Sequence, residues 1–334
     1  MATTTSRRVR VLTTGGTIAS TRDAATGAMR AATSGADLIA AVPGVADLAA
    51  VEVDEVALVN SWDVTLPLMA DLARRIEAAA AGGVAGVVVT HGTDTLEETA
   101  FALDRLVAAD IPVVVTGAMR GGAGPDADGP RNLLAAVRVA ADQRARGLGA
   151  VVVLADEVHA GRFVHKRSTT ALHTFGSPDC GPLGTVDDDG LLLRWRPPAQ
   201  SALRDAAGQV PEPAEPVELV WVAAGASARV LQAAAEGARG LVVAGSGAGN
   251  VPRSWAGPLR ALVAAGTPVV LASRCEAGRV VPIYGGDGGG RTLVDAGLIP
   301  AGDLSAVKAR IALAFALGAG RDLDGVRNLF AQLG

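Results

Sequence analysis

Cysteine is scarce in this chain, and its scarcity narrows the chemistry that the chain can perform. Cys180 and Cys275 are the only cysteines among 334 residues, too few for a cysteine-rich zinc site or a disulfide framework. We expect two unpaired thiols. The histidines do not show the paired spacing of a metal site either: His91, His159, His165 and His173. We expect them to be polar filler or surface residues, and the sequence indicates no metal and no cofactor.

Long apolar runs and basic clusters are also missing. No window reaches the 18 or so apolar residues that a membrane-spanning helix needs, and the opening stretch "MATTTSRRVRVLTT" lacks the apolar core of a secretory signal. No cluster of positive residues is longer than "SRR" or "HKR", and aromatic residues make up only 3% of the chain. A dedicated nucleic-acid surface is therefore not indicated, and we expect a cytoplasmic protein that binds neither nucleic acid nor membrane.

Lysine is nearly absent as well. Of the 30 basic residues only Lys166 and Lys308 are lysine, so a retained lysine suggests a task that arginine cannot perform, namely giving up a proton near neutral pH. Lys308 lies in "DLSAVKARIALAFALG", whose apolar spacing predicts an amphipathic helix with this lysine on the solvated face. Lys166 is thus the lysine of interest.

What the chain does contain is alternation. Short valine-rich runs such as "VAGVVVT" and "IPVVVTGA" alternate with Ala/Leu/Arg-rich helical stretches, a pattern typical of βαβ units and a parallel sheet. Five prolines interrupt residues 196–219. The fold class is therefore α/β: we expect a larger, doubly wound, mainly parallel N-terminal domain over 1–198, a proline-rich linker over 199–216, and a smaller α/β domain over 217–334.

Two stretches at predicted strand ends stand out, because open parallel sheets bind ligands beyond the carboxyl ends of their strands. "TTGGTIASTR" follows the first strand, and "THGTDTLEETA" follows a later one. Glycines allow close approach of the backbone, and acidic residues three positions after Asp94 and Thr95 predict a capped helix start that favours an anion. On spacing alone an alternative stays open, in which Gly15 and Gly16 form a simple turn and Thr93 and Asp94 only cap the helix.

Three familiar motifs are missing. No Gly-Lys-Ser/Thr follows the first glycines, so there is no phosphate-binding P-loop. "GSGAGN" ends in Asn250 where a dinucleotide fingerprint needs glycine, and no Gly-x-Ser-x-Gly nucleophile elbow occurs.

The two strand-end stretches together resemble the paired signature of the bacterial-type L-asparaginases. The similarity continues through most of the chain, in "GAMR", "DGPRNL", "GPLG" and "AGSGAGN". The resemblance implies an amidohydrolase in which Thr17 attacks the side-chain amide of asparagine and releases ammonia from an acyl-enzyme. It also implies a Thr93-Lys166-Asp94 relay, which suits a lysine that can release its proton.

Binding residues follow from the same resemblance. Ser61 would hold the substrate α-carboxylate and Asp94 its ammonium, and Gly16 and Thr93 would line the pocket. Backbone amides near Thr93 and Thr17 would stabilise the oxyanion. Asn250 would reach in from a neighbouring subunit. The resemblance thus implies a homo-oligomer, usually a tetramer built as a dimer of dimers.

The chain departs from the family pattern at three places. Residues 21–35 lack the usual loop tyrosine, Trp62 stands where a substrate-contacting glutamine is common, and "YGGDGGG" replaces a segment that usually supplies a glutamate. Tyr284 is the only tyrosine, and we hypothesise that it replaces the loop phenol from a neighbouring subunit. The alternative is that Tyr284 merely packs at an interface.

Three functions remain open at this point. The first is an L-asparaginase with some glutaminase activity, since one methylene of substrate length is worth only about 1–3 kcal/mol of discrimination. The second is an amidase for another small ω-amide, and the third is an amino-acid-binding homologue that has lost turnover. Retention of Thr17, Thr93, Asp94 and Lys166 favours an enzyme.

Overall fold

The structure, a computed structural model, describes residues 7–16, 18, 20–22, 29–31, 34–121, 126–198 and 202–334. It divides into two compact units, Met1–Ala202 and Leu203–Gly334.

The first unit contains, in chain order, β1 (Arg8–Gly15), β2 (Ser20–Arg22), β3 (Met29–Ala31), α1 (Gly35–Ala40), α2 (Val45–Leu48), β4 (Ala50–Val59), α3 (Leu66–Ala81), β5 (Gly86–Thr90), α4 (Leu96–Leu106), β6 (Val113–Thr116), α5 (Gly129–Ala141), β7 (Ala150–Leu154), β8 (Glu157–Ala160), β9 (His165–Lys166), β10 (Phe175–Gly176), β11 (Gly184–Asp187) and β12 (Gly190–Leu193). The second contains β13 (Val217–Trp221), α6 (Ala228–Ala235), β14 (Gly240–Gly245), α7 (Arg253–Ala264), β15 (Val269–Ser273), α8 (Gly290–Asp295), β16 (Ile299–Ser305), α9 (Ala306–Gly318) and α10 (Leu323–Leu333).

The main sheet of the first unit has eight strands in the order β12-β11-β8-β7-β6-β5-β1-β4. The five strands from β7 to β4 are parallel, and β8, β11 and β12 extend the sheet with antiparallel pairs. The second unit has a four-stranded parallel sheet in the order β13-β14-β15-β16. The predicted α/β class, with a larger and a smaller unit, is confirmed.

The valine runs form strands that are buried on both faces, because helices cover both sides of the sheet. Val88, Val114 and Leu133 of α5 belong to one buried cluster. Val87 and Val89 point to the opposite face, because side chains alternate along a strand, and they are also completely buried. Near-continuous apolar runs are the expected sequence of such strands.

The order of strands reverses at β1. The chain runs from β1 to β4 on one side of it, and β5 then pairs with β1 on the other side. A parallel sheet opens a crevice at such a switch point, beyond the carboxyl ends of the strands. Thr13 of β1 lies opposite Thr90 of β5, so the segments that follow these two strands meet at that crevice.

The prediction for Lys308 was wrong. Lys308 lies in α9 and is completely buried, not on a solvated face. Most residues of this helix are apolar and buried, because strands β13, β14 and β16 pack on it and α10 contacts it as well. Apolar spacing cannot distinguish one apolar stripe from full burial when nearly every residue is apolar.

Much of the proline-rich segment packs on the second unit. Leu203, Val210 and Ala214 are buried, and the Ala214 N–H donates to the carbonyl of Ala314 at 2.9 Å. The second compact unit accordingly begins at Leu203, within the stretch that the sequence assigns to the linker.

Two sequence-based exclusions can be compared with the structure. Neither Cys180 nor Cys275 forms a disulfide, and both are exposed, in agreement with the prediction of two thiols not joined by a bridge. Within the described ranges, no helix has the length and apolar character to span a bilayer.

Candidate active site

The backbones of the two motifs touch at the carboxyl ends of β1 and β5. Gly15 and Gly16 have φ of 100° and 83°, a left-handed conformation that side chains disfavour. A Cβ on Gly16 would lie 2.3 Å from the nitrogen of Gly92, so no larger residue fits there. The predicted nucleophile Thr17 lies outside the described residues.

Lys166 connects the second motif to the β9 strand. Its Nζ donates to Thr93 Oγ1 at 2.9 Å and to Asp94 Oδ1 at 2.6 Å. The lysine and Thr93 are largely buried, whereas half of the Asp94 side chain is exposed. The three residues are more than 70 positions apart in sequence at the widest, and the fold brings them into direct contact.

The strand that carries Lys166 is held by α4. Glu97 Oε2 accepts from the backbone N–H of Lys166 at 3.1 Å and lies 3.4 Å from His165 Nδ1. On the other side, β9 pairs with β10, where the buried Phe175 lies opposite Lys166. One carboxylate in the first turn of α4 therefore fixes the backbone beneath the lysine.

Ser61 supports the second motif from the segment after β4. It is buried, its Oγ accepts from the Asp94 N–H at 3.2 Å, and its carbonyl accepts from Thr95 Oγ1 at 2.6 Å. The hydroxyl of Ser61 lies beside Gly92, where a Cβ would come within 2.8 Å of it. Ser61 thus reaches the same small space as Gly16, Gly92 and Asp94.

The side-chain cap predicted at the start of α4 does not form. The N-cap residue is Thr95, and its side chain makes no hydrogen bond to the helix backbone, because its hydroxyl donates to Ser61. Glu97 binds β9 instead of the cap. Thr93 and Asp94 precede the cap and bind Lys166, so they do more than start the helix.

His91 is a part of the site that the sequence reasoning missed. It follows β5, is completely buried, and its ring lies between the Gly92 carbonyl and the hydroxyl of Thr99. Burial lowers the pKa of His91 from 6.5 to about 4, against the opposing effect of the Gly92 carbonyl. A single histidine in a glycine-rich motif gives no periodic signal, and its position next to Gly92 was the only available clue.

Trp62, which the resemblance places in the pocket, is 67% exposed in the short 3₁₀ helix Ser61–Asp63.

The remaining predicted residues belong to the second unit. Asn250 Oδ1 accepts from the Gly290 N–H at 3.0 Å, and Tyr284 is 56% exposed. Asp287 in the same loop pairs with Arg253 at 2.8 Å.

The site has the groups for proton transfer and for binding a small zwitterion. It offers two hydroxyls, an ammonium and a carboxylate at the mouth of a crevice, beside the N-terminal end of α4. Among the residues that the structure describes, no three His, Cys, Asp or Glu side chains are grouped as metal ligands. The arrangement suits general acid–base and nucleophilic chemistry on a small polar substrate.

Comparisons with known proteins agree with this class of site on a two-unit α/β fold. The sequence model of the asparaginase N-terminal domain matches residues 8–199, and that of the glutaminase/asparaginase C-terminal domain matches residues 216–330. The chain belongs to the asparaginase family.

Individual relatives span nearly the whole chain. It is 39% identical to a probable L-asparaginase of Deinococcus radiodurans over 97% of both chains. It is 36% identical to L-asparaginase 2 of Escherichia coli, covering 97% of this chain and 92% of that one. The crystal structure of a probable cytoplasmic L-asparaginase from Campylobacter jejuni superposes with a TM-score of 0.86 at 33% identity, covering 97% of this chain and 99% of that chain.

Proposed function

We propose that this chain hydrolyses L-asparagine to L-aspartate and ammonia. The observation that carries the proposal is the contact of Lys166 Nζ with both Thr93 Oγ1 and Asp94 Oδ1 at the sheet's switch point, in a chain that belongs to the asparaginase family. Relatives named L-asparaginase match 97% of its length.

The proposed reaction has two steps. The Thr17 hydroxyl attacks the side-chain amide carbon, loses its proton, and forms an ester as the amide C–N bond breaks and ammonia leaves with an added proton. Water then attacks the ester, and its proton returns to the Thr17 oxygen. Thr93, Lys166 and Asp94 carry the proton during these transfers, and the contacts of Lys166 support this role.

The proposed binding groups match the ends of the substrate. Ser61 Oγ binds the α-carboxylate and Asp94 the α-ammonium, while Gly16 leaves room for the amide. Trp62 forms the outer wall. Asn250 and Tyr284 are proposed to come from a neighbouring subunit, Tyr284 in place of the missing loop phenol.

Ammonia release from asparagine tests the function. We expect release by the wild type, none above background by Thr17→Ala, and a loss of at least 100-fold in kcat for Lys166→Arg, which keeps the charge but cannot donate its proton. Lys166→Arg should still bind aspartate. Full turnover by Thr17→Ala would refute the acyl-enzyme on this threonine.

Glutamine is the second candidate substrate. The C-terminal family is described as glutaminase/asparaginase. The exposed Trp62 stands where a substrate-contacting glutamine is common, and this exchange would reshape the end of the pocket. The ratio of kcat/KM values for asparagine and glutamine separates the two. Measurable aspartate binding without ammonia release from either amide would instead identify a binding protein.

Oligomerisation and location complete the proposal. We expect a homo-oligomer, a tetramer arranged as a dimer of dimers, in the cytoplasm; the Campylobacter relative is named a probable cytoplasmic enzyme. If Asn250 serves the neighbour's site, mixing inactive Thr17→Ala with impaired Asn250→Ala subunits should restore activity, because some mixed sites contain both intact residues.

If the Tyr284 phenol replaces the missing loop tyrosine, Tyr284→Phe should lose turnover. A fully active Tyr284→Phe variant would refute this replacement.

A further inference from the structure

The ring of His91, a residue of the second motif, lies in a closed environment. The ring is completely buried. Its Nδ1 lies 2.7 Å from the Gly92 carbonyl oxygen and its Nε2 lies 2.9 Å from Thr99 Oγ1. The backbone N–H of His91 also donates to the Thr116 carbonyl at 2.8 Å, so both the ring and its backbone are held.

These contacts fix which ring nitrogen carries the proton. Burial lowers the pKa of His91 to about 4, so the ring is neutral at pH 7 and has a single N–H. A carbonyl oxygen can only accept, so the proton is on Nδ1 and the N–H donates to Gly92. Nε2 then accepts the hydrogen of the Thr99 hydroxyl, and each of the three groups has a partner.

The hydrogen bond to Gly92 also fixes the following amide. In a trans peptide the C=O and N–H point in opposite directions, so holding the Gly92 carbonyl aims the Thr93 N–H the other way. Over the described part of the chain, no oxygen accepts a hydrogen bond from the Thr93 N–H, although Thr93 is only 4% exposed. A buried amide without a partner is a donor available for a ligand.

The neighbours of Gly92 restrict its backbone as well. Gly16 approaches it closely on one side, and Ser61 lies beside its Cα. Packing therefore limits the position of the Gly92–Thr93 peptide, while the His91 ring selects its direction. If the peptide were rotated by half a turn, it would present a carbonyl where the bound substrate needs a donor.

We propose that His91, kept in its Nδ1–H tautomer by Thr99, is a positioning residue that aims the Thr93 amide at the carbonyl oxygen of the substrate amide. The inference rests on the proposed amidohydrolase function. The resemblance already implies that the backbone at Thr93 stabilises the oxyanion that develops during attack. The inference adds the residue that orients this donor, His91, held by Thr99.

Isosteric substitution of Thr99 provides the test. Thr99→Val removes the hydroxyl that donates to Nε2 but keeps the shape, whereas Thr99→Ser keeps the hydroxyl. We expect kcat for asparagine to fall by about 10- to 100-fold in Thr99→Val with little change in KM, because an oxyanion donor acts mainly in the transition state. Thr99→Ser should retain most of the wild-type kcat.

A spectroscopic measurement accompanies the kinetics. ¹⁵N NMR of histidine-labelled protein should show His91 with a protonated Nδ1 and a bare Nε2 in the wild type and in Thr99→Ser, and a mixture of tautomers in Thr99→Val. If Thr99→Val does not fold, His91→Asn serves instead: its side-chain amide can still donate to Gly92, and we expect it to retain more kcat than His91→Leu.

The possible results separate the positioning role of His91 from the proposed function. An Nε2–H or charged ring in the wild type, an unchanged kcat in Thr99→Val, or equal kcat in His91→Asn and His91→Leu overturns the positioning role while leaving the proposed function intact. A wild type that releases no ammonia from any amide refutes the proposed function itself, and this inference with it.

Discussion

At the scale of single residues, the site is bordered by hydroxyls whose hydrogen bonding differs although their surroundings are alike. Thr90 and Thr116 lie opposite each other at the ends of β5 and β6, and both are buried. Thr116 Oγ1 donates to the Val153 carbonyl at 2.7 Å. Thr90 Oγ1 has no partner within the described ranges. The two residues therefore form a matched pair for measuring the cost of an unsatisfied hydroxyl.

Replacing each of these threonines by valine should change stability in opposite directions. Thr90→Val removes a buried hydroxyl that makes no described hydrogen bond and should raise the free energy of unfolding by about 1 kcal/mol. Thr116→Val removes the donor to Val153 and should lower it by about 1 kcal/mol or more. Urea denaturation of both variants measures the difference, and shifts of the same sign would contradict the prediction.

A second matched pair concerns close approach of the backbone. Gly16 and Gly44 have nearly the same positive φ, 83° and 78°. A Cβ at Gly16 would meet Gly92, whereas a Cβ at Gly44 would meet nothing within 4 Å. Both alanine variants carry the left-handed strain of about 1–2 kcal/mol. Because only the Gly16 variant also clashes with Gly92, only Gly16→Ala should lose ammonia release and be destabilised further. Equal urea midpoints and equal activities would refute the contact argument.

The residue scale is also where sequence reasoning failed most clearly. Thr93, Asp94 and Lys166 could be proposed from motifs, and the structure brings them together. His91 could not be proposed, because its role depends on a ring contact with Gly92 and Thr99 that no spacing shows. Lys308 was placed wrongly because burial around a whole helix depends on what packs on it.

At the scale of elements, the short strand β9 depends on α4 for its position. Glu97 at the start of α4 accepts from the backbone of Lys166 and faces His165. The contacts of the Lys166 side chain with Thr93 and Asp94 therefore depend on a carboxylate of another element, which holds the backbone of the lysine.

Substitution of Glu97 should accordingly reduce turnover through its effect on the position of Lys166. We expect kcat to fall by about tenfold or more in Glu97→Ala, because the lysine loses its fixed geometry. Glu97→Gln keeps a side-chain oxygen that can accept from the Lys166 N–H and should retain most of the activity. Ammonia release at saturating asparagine measures both, and equal losses in the two variants would show that charge, not position, is what matters.

The strands were predictable where burial on both faces of the sheet requires a continuous apolar run in the sequence. β5, β6 and β14 read as valine-rich runs because both faces are covered. β4 alternates exposed and partly buried residues at the sheet edge, and the antiparallel extension through β8, β11 and β12 consists of four-residue strands. Strands of four residues are too short to show a clear alternation of apolar and polar residues.

At the scale of the whole molecule, burial of histidine links stability to pH. The pKa of His91 is lowered to about 4 in the folded state from 6.5 in the unfolded chain, so the unfolded chain binds more protons between these values. The stabilisation is fully present above pH 6.5 and is lost as the pH falls towards 4. Burial also lowers the pKa of His159, against the opposing effect of Glu157, and acts in the same direction.

We therefore expect the first unit to lose stability on acidification. A shift of this size corresponds to about 3 kcal/mol between pH 7 and pH 4 for His91 alone. In His91→Asn the decrease in unfolding free energy over this range should be smaller by that amount. Urea denaturation at several pH values provides the measurement, and an unchanged slope in the variant would contradict the assignment.

The distribution of lysine has a practical consequence. Lys308 is sealed inside the second unit, and Lys166 is partly accessible at the crevice. Apart from the α-amine of the chain, an acylating reagent that attacks amines therefore finds one accessible target, Lys166, beside Thr93 and Asp94. Incorporation at Lys166, measured by mass spectrometry of the peptide that contains it, would report whether a ligand covers the crevice.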